Sequence, residues 1–557
     1  MYRTRRSGSG RSPLPAILVA LAVAAALVVV VYTFRIGRSW QAATVLPADT
    51  LAYAWFGDAD DVCRDLERRG VFEELSARFE QAGDKQAGET VRQCGRAVRR
   101  VRSIHVSLHA PGGEEVSKGG GFRRLVVLDV GRPTPFDEFL PAGVVRYFNY
   151  TDEYAGTRIF TLSREASAAL GSPLYGASSK GKIVFSTEGS LLAGVLNGLA
   201  TGKRAESLAA SKNYRPFVRN GGRGAVGGYF VVQPLLSRRP RFARLARPLG
   251  LADVYVAFVR TRYGGRRGRC RVVAGSDHPL HLVAETPSQP KHITRYLPRD
   301  TAAFAAMSFE NGRLAWRVLN PQVADVFEAV SGPAGAEAYE ERVKELESIL
   351  DAELDELAGL VEEVGAFLVG EGPERELGVF VRVSEPKRVY TILRGLEGHA
   401  KWWGRSEIYE RRGVRVHVLA RRHAWAMIRS GVVVGRPELV DKLIDSAASG
   451  ETIHKREAFR TVDRMLPKRN GIYAWLSPAV AQQALGALLP ASETARQEFA
   501  DVSVALALTA RDDVIHVDWA CSRPLNLGRL LGESAIQALA AAVTRERERL
   551  YPQPGRD

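Results

Sequence analysis

A five-residue motif that occurs twice constrains the fold of this chain more than any other feature of its sequence. Leu46-Pro47-Ala48-Asp49-Thr50 recurs as Leu297-Pro298-Arg299-Asp300-Thr301, 251 positions later. Four further matches keep the same order with offsets of 244 to 253: Val130/Pro133 with Val383/Pro386, Gly202 with Gly450, Tyr229/Pro234 with Tyr473/Pro478, and Leu251–Phe258 with Phe499–Leu506. Because a repeated sequence normally encodes a repeated structural unit, we expect two tandem, homologous units at 45–290 and 291–523.

The pattern within each unit mixes strands and helices. Apolar strands are predicted at 104–109 and 125–130 in the first unit, and at 364–369 and 379–383 in the second. In each unit a later strand runs into a helix, 183–186 into 191–199 and 432–434 into 439–446, and a proline, Pro234 or Pro478, begins another helix. This order is too irregular for a doubly wound sheet, so the sequence predicts the α+β class with largely antiparallel sheets.

Three elements near or beyond the second unit have patterns of their own. Apolar and polar residues alternate at 502–509 and 514–519, which predicts an antiparallel hairpin with one solvated face. Glu337–Glu363 has apolar residues at helical spacing with carboxylates between them, which predicts one amphipathic helix. The tail, residues 524–557, is expected to hold a terminal helix over Leu525–Leu550.

An apolar run at the amino terminus predicts a membrane anchor. Leu14–Phe34 has 21 residues, enough for a helix to cross the roughly 30 Å hydrocarbon core of a bilayer. Residues 1–13 carry four arginines and no acid, and positive flanks remain in the cytoplasm. We therefore expect a basic cytoplasmic tail at 1–13, a single transmembrane helix at 14–34 and an extracytoplasmic remainder. A cleaved signal peptide is the alternative, although its apolar core normally has about 7–15 residues.

The formal net charge of +16 is concentrated in one region. Residues 238–271 contain eleven arginines and one acid, whereas residues 291–557 carry a net charge of −2. Outside the cytoplasm the polyanions at hand are lipid head groups and envelope polymers, so we expect an anionic envelope polymer or a protein as partner, and no nucleic acid. The candidate binding residues are Arg238, Arg239, Arg241, Arg244, Arg247, Arg260, Arg262, Arg266, Arg267, Arg269 and Arg271. Compositional bias is the alternative, since the chain has 65 arginines and 13 lysines.

The predicted extracytoplasmic location bears on whether the cysteines form disulfides. Oxidising conditions outside the membrane permit disulfides, and the chain has four cysteines, Cys63, Cys94, Cys270 and Cys521. Four cysteines allow three complete pairings, which the sequence does not distinguish. Four buried thiols are the alternative.

No motif in the sequence points to a catalytic residue, a cofactor or a metal. Gly198–Arg204 is a poor phosphate loop, because Arg204 stands where magnesium binding needs a hydroxyl, and a helix C-cap at Gly202 explains it better. His105 and His109 are predicted on one strand, about 13 Å apart, too far to share an ion. The sequence also lacks His-Glu-x-x-His and Gly-x-Ser-x-Gly. Enzymatic activity is therefore unsupported rather than excluded, since catalytic groups can converge from distant positions.

Several short motifs together carry a family resemblance. The repeated Leu-Pro-x-Asp-Thr opening, Ser207-Leu208 with Tyr214–Val218 after it, the strand Gly228–Phe230 and the upstream anchor resemble an exported, membrane-anchored bacterial family of unknown function with a duplicated unit. The second unit departs from that pattern with Thr452-Ile453 in place of Ser207-Leu208. The resemblance implies an extracytoplasmic location and no established activity. We expect a non-enzymatic envelope binding or structural module; an envelope enzyme with a composite site between the two units is the alternative.

Overall fold

The structure is a computed structural model that describes most of residues 42–524. The described residues are 42–56, 101–110, 122–164, 172–202, 206–211, 225–232, 254–262, 266–274, 291–370, 374–395, 406–419, 422–488, 500–511 and 514–524, with single positions between 73 and 100 and residues 167 and 214.

Ten strands are described in each half of the chain. Those of the first half are β1 (Thr50–Phe56), β2 (Ser103–His109), β3 (Arg123–Asp129), β4 (Phe148–Tyr154), β5 (Thr157–Leu162), β6 (Tyr175–Ser179), β7 (Lys182–Ser186), β8 (Ala225–Phe230), β9 (Val254–Arg262) and β10 (Arg267–Ala274). Those of the second are β11 (Thr301–Ser308), β12 (Val361–Val369), β13 (Glu376–Val383), β14 (Ser406–Arg411), β15 (Val414–Leu419), β16 (His423–Ile428), β17 (Gly431–Gly435), β18 (Ile472–Leu476), β19 (Val504–Arg511) and β20 (Val514–Cys521).

The helices with described bounds are unevenly divided between the halves. The first half has α1 (Phe136–Phe139), α2 (Ala142–Val145) and α3 (Gly189–Thr201). The second half has α4 (Gly312–Ser331), α5 (Pro333–Leu350), α6 (Leu354–Gly359), α7 (Pro386–Gly395), α8 (Pro437–Ser449), α9 (Glu457–Asp463) and α10 (Pro478–Leu488).

The strands form one continuous sheet in which every described pairing is antiparallel. Across the sheet the order is β4-β5-β6-β7-β3-β2-β1-β8-β9-β10 for the first half, then β20-β19-β18-β11-β12-β13-β17-β16-β15-β14 for the second. The strands of each half therefore pair in the same sequence, and the halves meet where β10 pairs with β20. The prediction of an α+β fold with largely antiparallel sheets is confirmed.

Each half has a helix packed on the same face of the sheet. Leu192, Val195 and Leu196 of α3 are buried against the first half, and Leu439 and Leu443 of α8 are buried against the second. Both helices follow a strand directly, as the sequence predicts. Each ends at a glycine in the left-handed conformation, Gly202 with φ 82° and Gly450 with φ 71°, which confirms the expected helix C-cap and removes the phosphate-loop interpretation of Gly202.

The prediction of one amphipathic helix over Glu337–Glu363 is wrong. Helix α5 ends at Leu350, because Asp351 adopts the left-handed conformation (φ 48°), and α6 and β12 follow. The short helix α6 has apolar residues at the same helical spacing as α5. The spacing of apolar residues therefore continues across the break and does not locate the end of α5.

The hairpin near the end of the second half is confirmed, but its solvated face is not. Strands β19 and β20 pair antiparallel from Val504 to Cys521. In β20 all residues from Val517 to Cys521 are buried, on both faces. The alternation fails here because α9 covers one face of this pair, while the other contributes to a separate apolar cluster.

Among the described residues no helix is both long enough and apolar enough to span a membrane. The predicted anchor at 14–34 and the predicted terminal helix over Leu525–Leu550 lie outside the described residues.

Candidate anion-binding face at the junction of the two halves

Arginines predicted as a binding set are brought together on β9 and β10. Alternate residues of a strand share a face, so Arg267, Arg269 and Arg271 of β10 lie on one side of the sheet. The register places Arg260 of β9 opposite Arg269, and Arg262 follows two positions along the same strand. These five positions define what we call the basic face.

The other six predicted arginines lie outside β9 and β10. Arg266 lies exposed immediately before β10. Arg238, Arg239, Arg241, Arg244 and Arg247 lie outside the described residues.

The described side chains of the basic face differ in exposure. Arg267 is exposed, Arg269 has 49% of its side chain exposed, and Arg271 is half-buried. Burial and the neighbouring charge of Arg269 both lower the pKa of Arg271, as expected for clustered cations. An anion placed beside Arg271 would relieve this repulsion.

One acid from the second half lies on the basic face. Asp518 of β20 pairs in register with Arg269, and its two oxygens accept hydrogen bonds from Arg269 Nε at 2.6 Å and Nη2 at 3.1 Å. This bidentate pair neutralises Arg269 and links the two halves. Across β9, β10 and β20 Asp518 is the only acidic residue.

The opposite side of the same strands is apolar. Trp519 and Val517 of β20 are buried with Cys270 in one cluster, and Trp519 lies over Gly268. Charge at the junction is thus confined to one side of the sheet, with a packed core on the other.

The cysteines at the junction are not joined to each other. The register places Cys270 opposite Val517, four residues from Cys521, which is beyond the reach of a disulfide. Both thiols are buried, and burial raises the pKa of Cys270 to about 12, so it is a poor nucleophile. Cys63 and Cys94 lie outside the described residues.

His105 and His109 belong to the core of the first half. His105 Nδ1 is 2.9 Å from the Tyr53 hydroxyl and its Nε2 is 2.9 Å from Ser103 Oγ, while His109 Nε2 is 2.8 Å from Ser107 Oγ. Burial lowers the pKa of His105 to about 3, so the ring is neutral. In the part of the chain that the structure describes, no three potential ligands converge as a metal site.

The first copy of the repeated motif makes a turn with a structural role. Thr50 Oγ1 donates a hydrogen bond to the Pro47 carbonyl at 2.6 Å. The Leu208 amide donates to the Leu46 carbonyl at 2.8 Å, so the turn is tied to the Ser207-Leu208 segment.

The second copy makes the same bonds. Thr301 Oγ1 donates to the Pro298 carbonyl at 2.7 Å, and the Ile453 amide donates to the Leu297 carbonyl at 2.9 Å. Both copies therefore fix the start of a central strand, and the motif needs no ligand to explain it.

A surface cleft of about 630 Å³ lies within the second half, between this turn and α8. Its acids are each neutralised by a protein cation: Asp300 pairs with Lys442, and Asp445 pairs with Arg412. Glu451 pairs with Lys455. All residues that line the cleft belong to the second half, so it is not a site between the halves.

Asp518 belongs to the candidate site, but no motif in the sequence indicates it. It is separated from Arg269 by 249 positions, and no local pattern connects them. The sequence signal that bears on it is the repeated Leu-Pro-x-Asp-Thr motif, because the last strands that follow its two copies are candidates for pairing.

Comparison with known proteins adds little to this geometry. No protein-family model and no curated protein matches the chain. A solved structure entitled "Structure of crystal form I of TP0453" matches at 7% identity and a TM-score of 0.22, covering 45% of this chain and 99% of that one.

Proposed function

We propose that the chain is a membrane-anchored, extracytoplasmic and non-enzymatic module that binds an anionic envelope polymer through the basic face. In this proposal residues 1–13 are cytoplasmic, 14–34 span the membrane, 45–290 and 291–523 are homologous units, and 524–557 form a C-terminal helix and tail. The observation that carries the binding proposal is the alignment of five arginine positions on one side of β9 and β10.

The chemistry of this face suits phosphate or carboxylate groups. Arginine presents a planar fork of donors that matches these anions in a bidentate manner, as Arg269 does with Asp518. Arg267 and Arg271 lie two positions on either side of Arg269 along β10. A chain of anionic groups running along the strand would contact both while Arg269 stays engaged.

Homology of the two units is supported by shared irregularities. In both halves the first strand has a β-bulge at the same place, between Thr50 and Ala52 and between Thr301 and Ala303. Bulges are specific features rather than random defects.

A charge-swapped ion pair gives further support. Arg123 begins β3 and pairs at 2.9 Å with Glu188, the residue before α3. Glu376 begins β13 and lies 3.8 Å from Arg436, the residue before α8. The same contact is thus kept with its charges reversed, as expected for two units that diverged from one.

The binding proposal is tested by titrating the full-length protein in detergent with linear polyphosphate and, separately, with polyglutamate. Arg267→Glu/Arg271→Glu should weaken binding at least about tenfold, because charge-assisted hydrogen bonds contribute about 1.5–3 kcal/mol each, and affinity should fall as salt rises. Arg342→Glu/Arg388→Glu, which reverses two exposed arginines of the second half, is the matched control. Equal affinity of both double variants, or binding insensitive to salt, contradicts the proposal.

A further inference from the structure

The junction between the halves has a local two-fold axis. Thr50 and Thr301 hold the same place in the repeated motif. From these two positions the residues that lie opposite each other on neighbouring strands can be followed through β1, β8, β9 and β10 in the first half, and through β11, β18, β19 and β20 in the second. Arg271 and Ala520 are reached at the same step, so each residue of β10 corresponds to the residue of β20 that lies 249 positions later.

The pairing of β10 with β20 obeys this correspondence in both directions. Arg267 pairs with Ala520, and Arg271 pairs with His516. Because Arg267 corresponds to His516 and Arg271 to Ala520, a two-fold rotation exchanges these two pairs. Gly268 with Trp519 and Cys270 with Val517 are exchanged in the same way. Such a contact, in which the same surface is used by both partners, is the isologous arrangement of two-fold dimers.

Arg269 and Asp518 lie on the axis. They correspond to each other under the 249-residue offset, and they pair with each other in the register. In a dimer of identical units this position would place a residue opposite its own copy, and two like charges directly opposite destabilise a strand pair. Here one copy is arginine and the other aspartate, in a bidentate pair.

We infer that the β10–β20 junction is a dimer interface fused into one chain, and that the axial Arg269–Asp518 pair selects its partner. The surface of β10 fits a second copy of the unit. Arginine on the axis disfavours pairing of β10 with another β10, aspartate does the same for β20, and the mixed pair is favoured. Selection by repulsion of the wrong partner is a general source of specificity. This inference rests on the proposed duplication but not on the proposed anionic partner.

The neighbouring residues agree with a selection role at the axis. Asp518 is only 8% exposed, so a like charge there would be poorly screened by solvent. The apolar contacts on the other side of the sheet, such as Trp519 over Gly268, stabilise any pairing of these strands and do not choose among partners. The axial charges are the part of the junction that distinguishes the two strands.

The test is a charge-exchange cycle on the full-length protein in detergent: Asp518→Arg, Arg269→Asp and the double exchange Arg269→Asp/Asp518→Arg. Opening of the junction is measured as the alkylation rate of Cys270 and Cys521 by mass spectrometry, because both are buried there and local opening controls labelling. Each single reversal should raise the rates about tenfold, and the double exchange should return them to within about threefold of wild type. Glu451→Arg, placed beside Lys455 far from β10, is the control and should leave the rates unchanged.

Other outcomes separate the explanations. Single reversals with unchanged rates, or a double exchange as labile as the singles, overturn the inference. If a reversal prevents folding, Asp518→Asn replaces it and should give a smaller rise, which Arg269→Gln does not increase further; independent, additive rises contradict a pairwise axial role. If the wild-type protein does not bind polyphosphate but the labelling rates of the charge-exchange variants are as expected, the proposed function is refuted and this inference is not.

Discussion

The substitution Gly268→Ala should weaken the junction between the two halves. A Cβ at Gly268 would lie 2.2 Å from Cζ2 and 2.5 Å from Cε2 of Trp519, well inside van der Waals contact. Trp519 is 1% exposed and packs among the buried apolar residues of the junction. Overpacking of this kind costs about 1–3 kcal/mol, and the lower chain entropy of alanine offsets about 0.5–1 kcal/mol.

An approach of 2.2 Å places the cost in the upper part of that range, about 2–3 kcal/mol, so the expected net loss is about 1–2.5 kcal/mol. Thermal unfolding followed by tryptophan fluorescence should therefore show a Tm about 2–5 °C below wild type, for a half of roughly 240 residues that unfolds as one unit. Gly395→Ala is the matched control, because a Cβ there meets nothing within 4 Å and the backbone is not in the left-handed region. A Gly268→Ala protein whose Tm lies within about 1 °C of the control would refute the packing of Trp519 on β10.

Three further predictions concern the first half, the repeated turn and the location. His105 has a folded-state pKa of about 3 against an ordinary value of 6.5, so between these values the unfolded chain binds more protons, and stability should rise with pH. His105→Asn should reduce that slope, measured by urea unfolding at pH 4 to 6, by up to about 1.4 kcal/mol per pH unit; an unchanged slope contradicts the buried neutral ring. Thr50→Val and Thr301→Val each remove a hydroxyl that donates to a buried turn and should each lower the free energy of unfolding by about 1 kcal/mol, and a loss in only one of them would argue against equivalent turns. Protease added to intact spheroplasts should digest residues beyond 40, whereas complete protection would place these residues in the cytoplasm.

The strands and the strand-to-helix connections were predictable because their signals are local. Val127 and Val184 lie on predicted strands and are buried in the core of the first half, and α8 begins at Pro437 directly after its strand. Alternation and proline at the first helical turn report on a few neighbouring residues, and that was sufficient here.

The correspondence of strand positions between the two halves was predictable only approximately. The sequence matches Tyr229 with Tyr473, whereas the registers place Trp475 opposite Phe304 as Tyr229 lies opposite Tyr53. The error is two residues, one period of a strand, so both side chains face the same core. A hydrophobic pattern fixes the face of a strand more firmly than its register.

The junction was not predictable from local patterns. Pairing of β10 with β20 joins positions about 250 residues apart, and the residues of β20 that alternation assigns to solvent are buried because α9 covers that face. The arginine cluster was visible in the sequence, but its division between a sheet face and other segments depends on strand register. Asp518 became identifiable only once the two terminal strands were placed side by side.

Arginine-specific labelling reports directly on whether the basic face binds a polyanion. The full-length protein in detergent is treated with a dicarbonyl reagent, with and without saturating polyphosphate, and modification is read residue by residue by mass spectrometry. Arg267 and Arg271 should be protected at least about fivefold by the polyanion, because bidentate contacts occupy the guanidinium group. The exposed Arg342 and Arg388 of the second half should label equally in both conditions. Equal labelling of Arg267 and Arg271 with and without polyphosphate would contradict the assignment of the basic face as the binding surface.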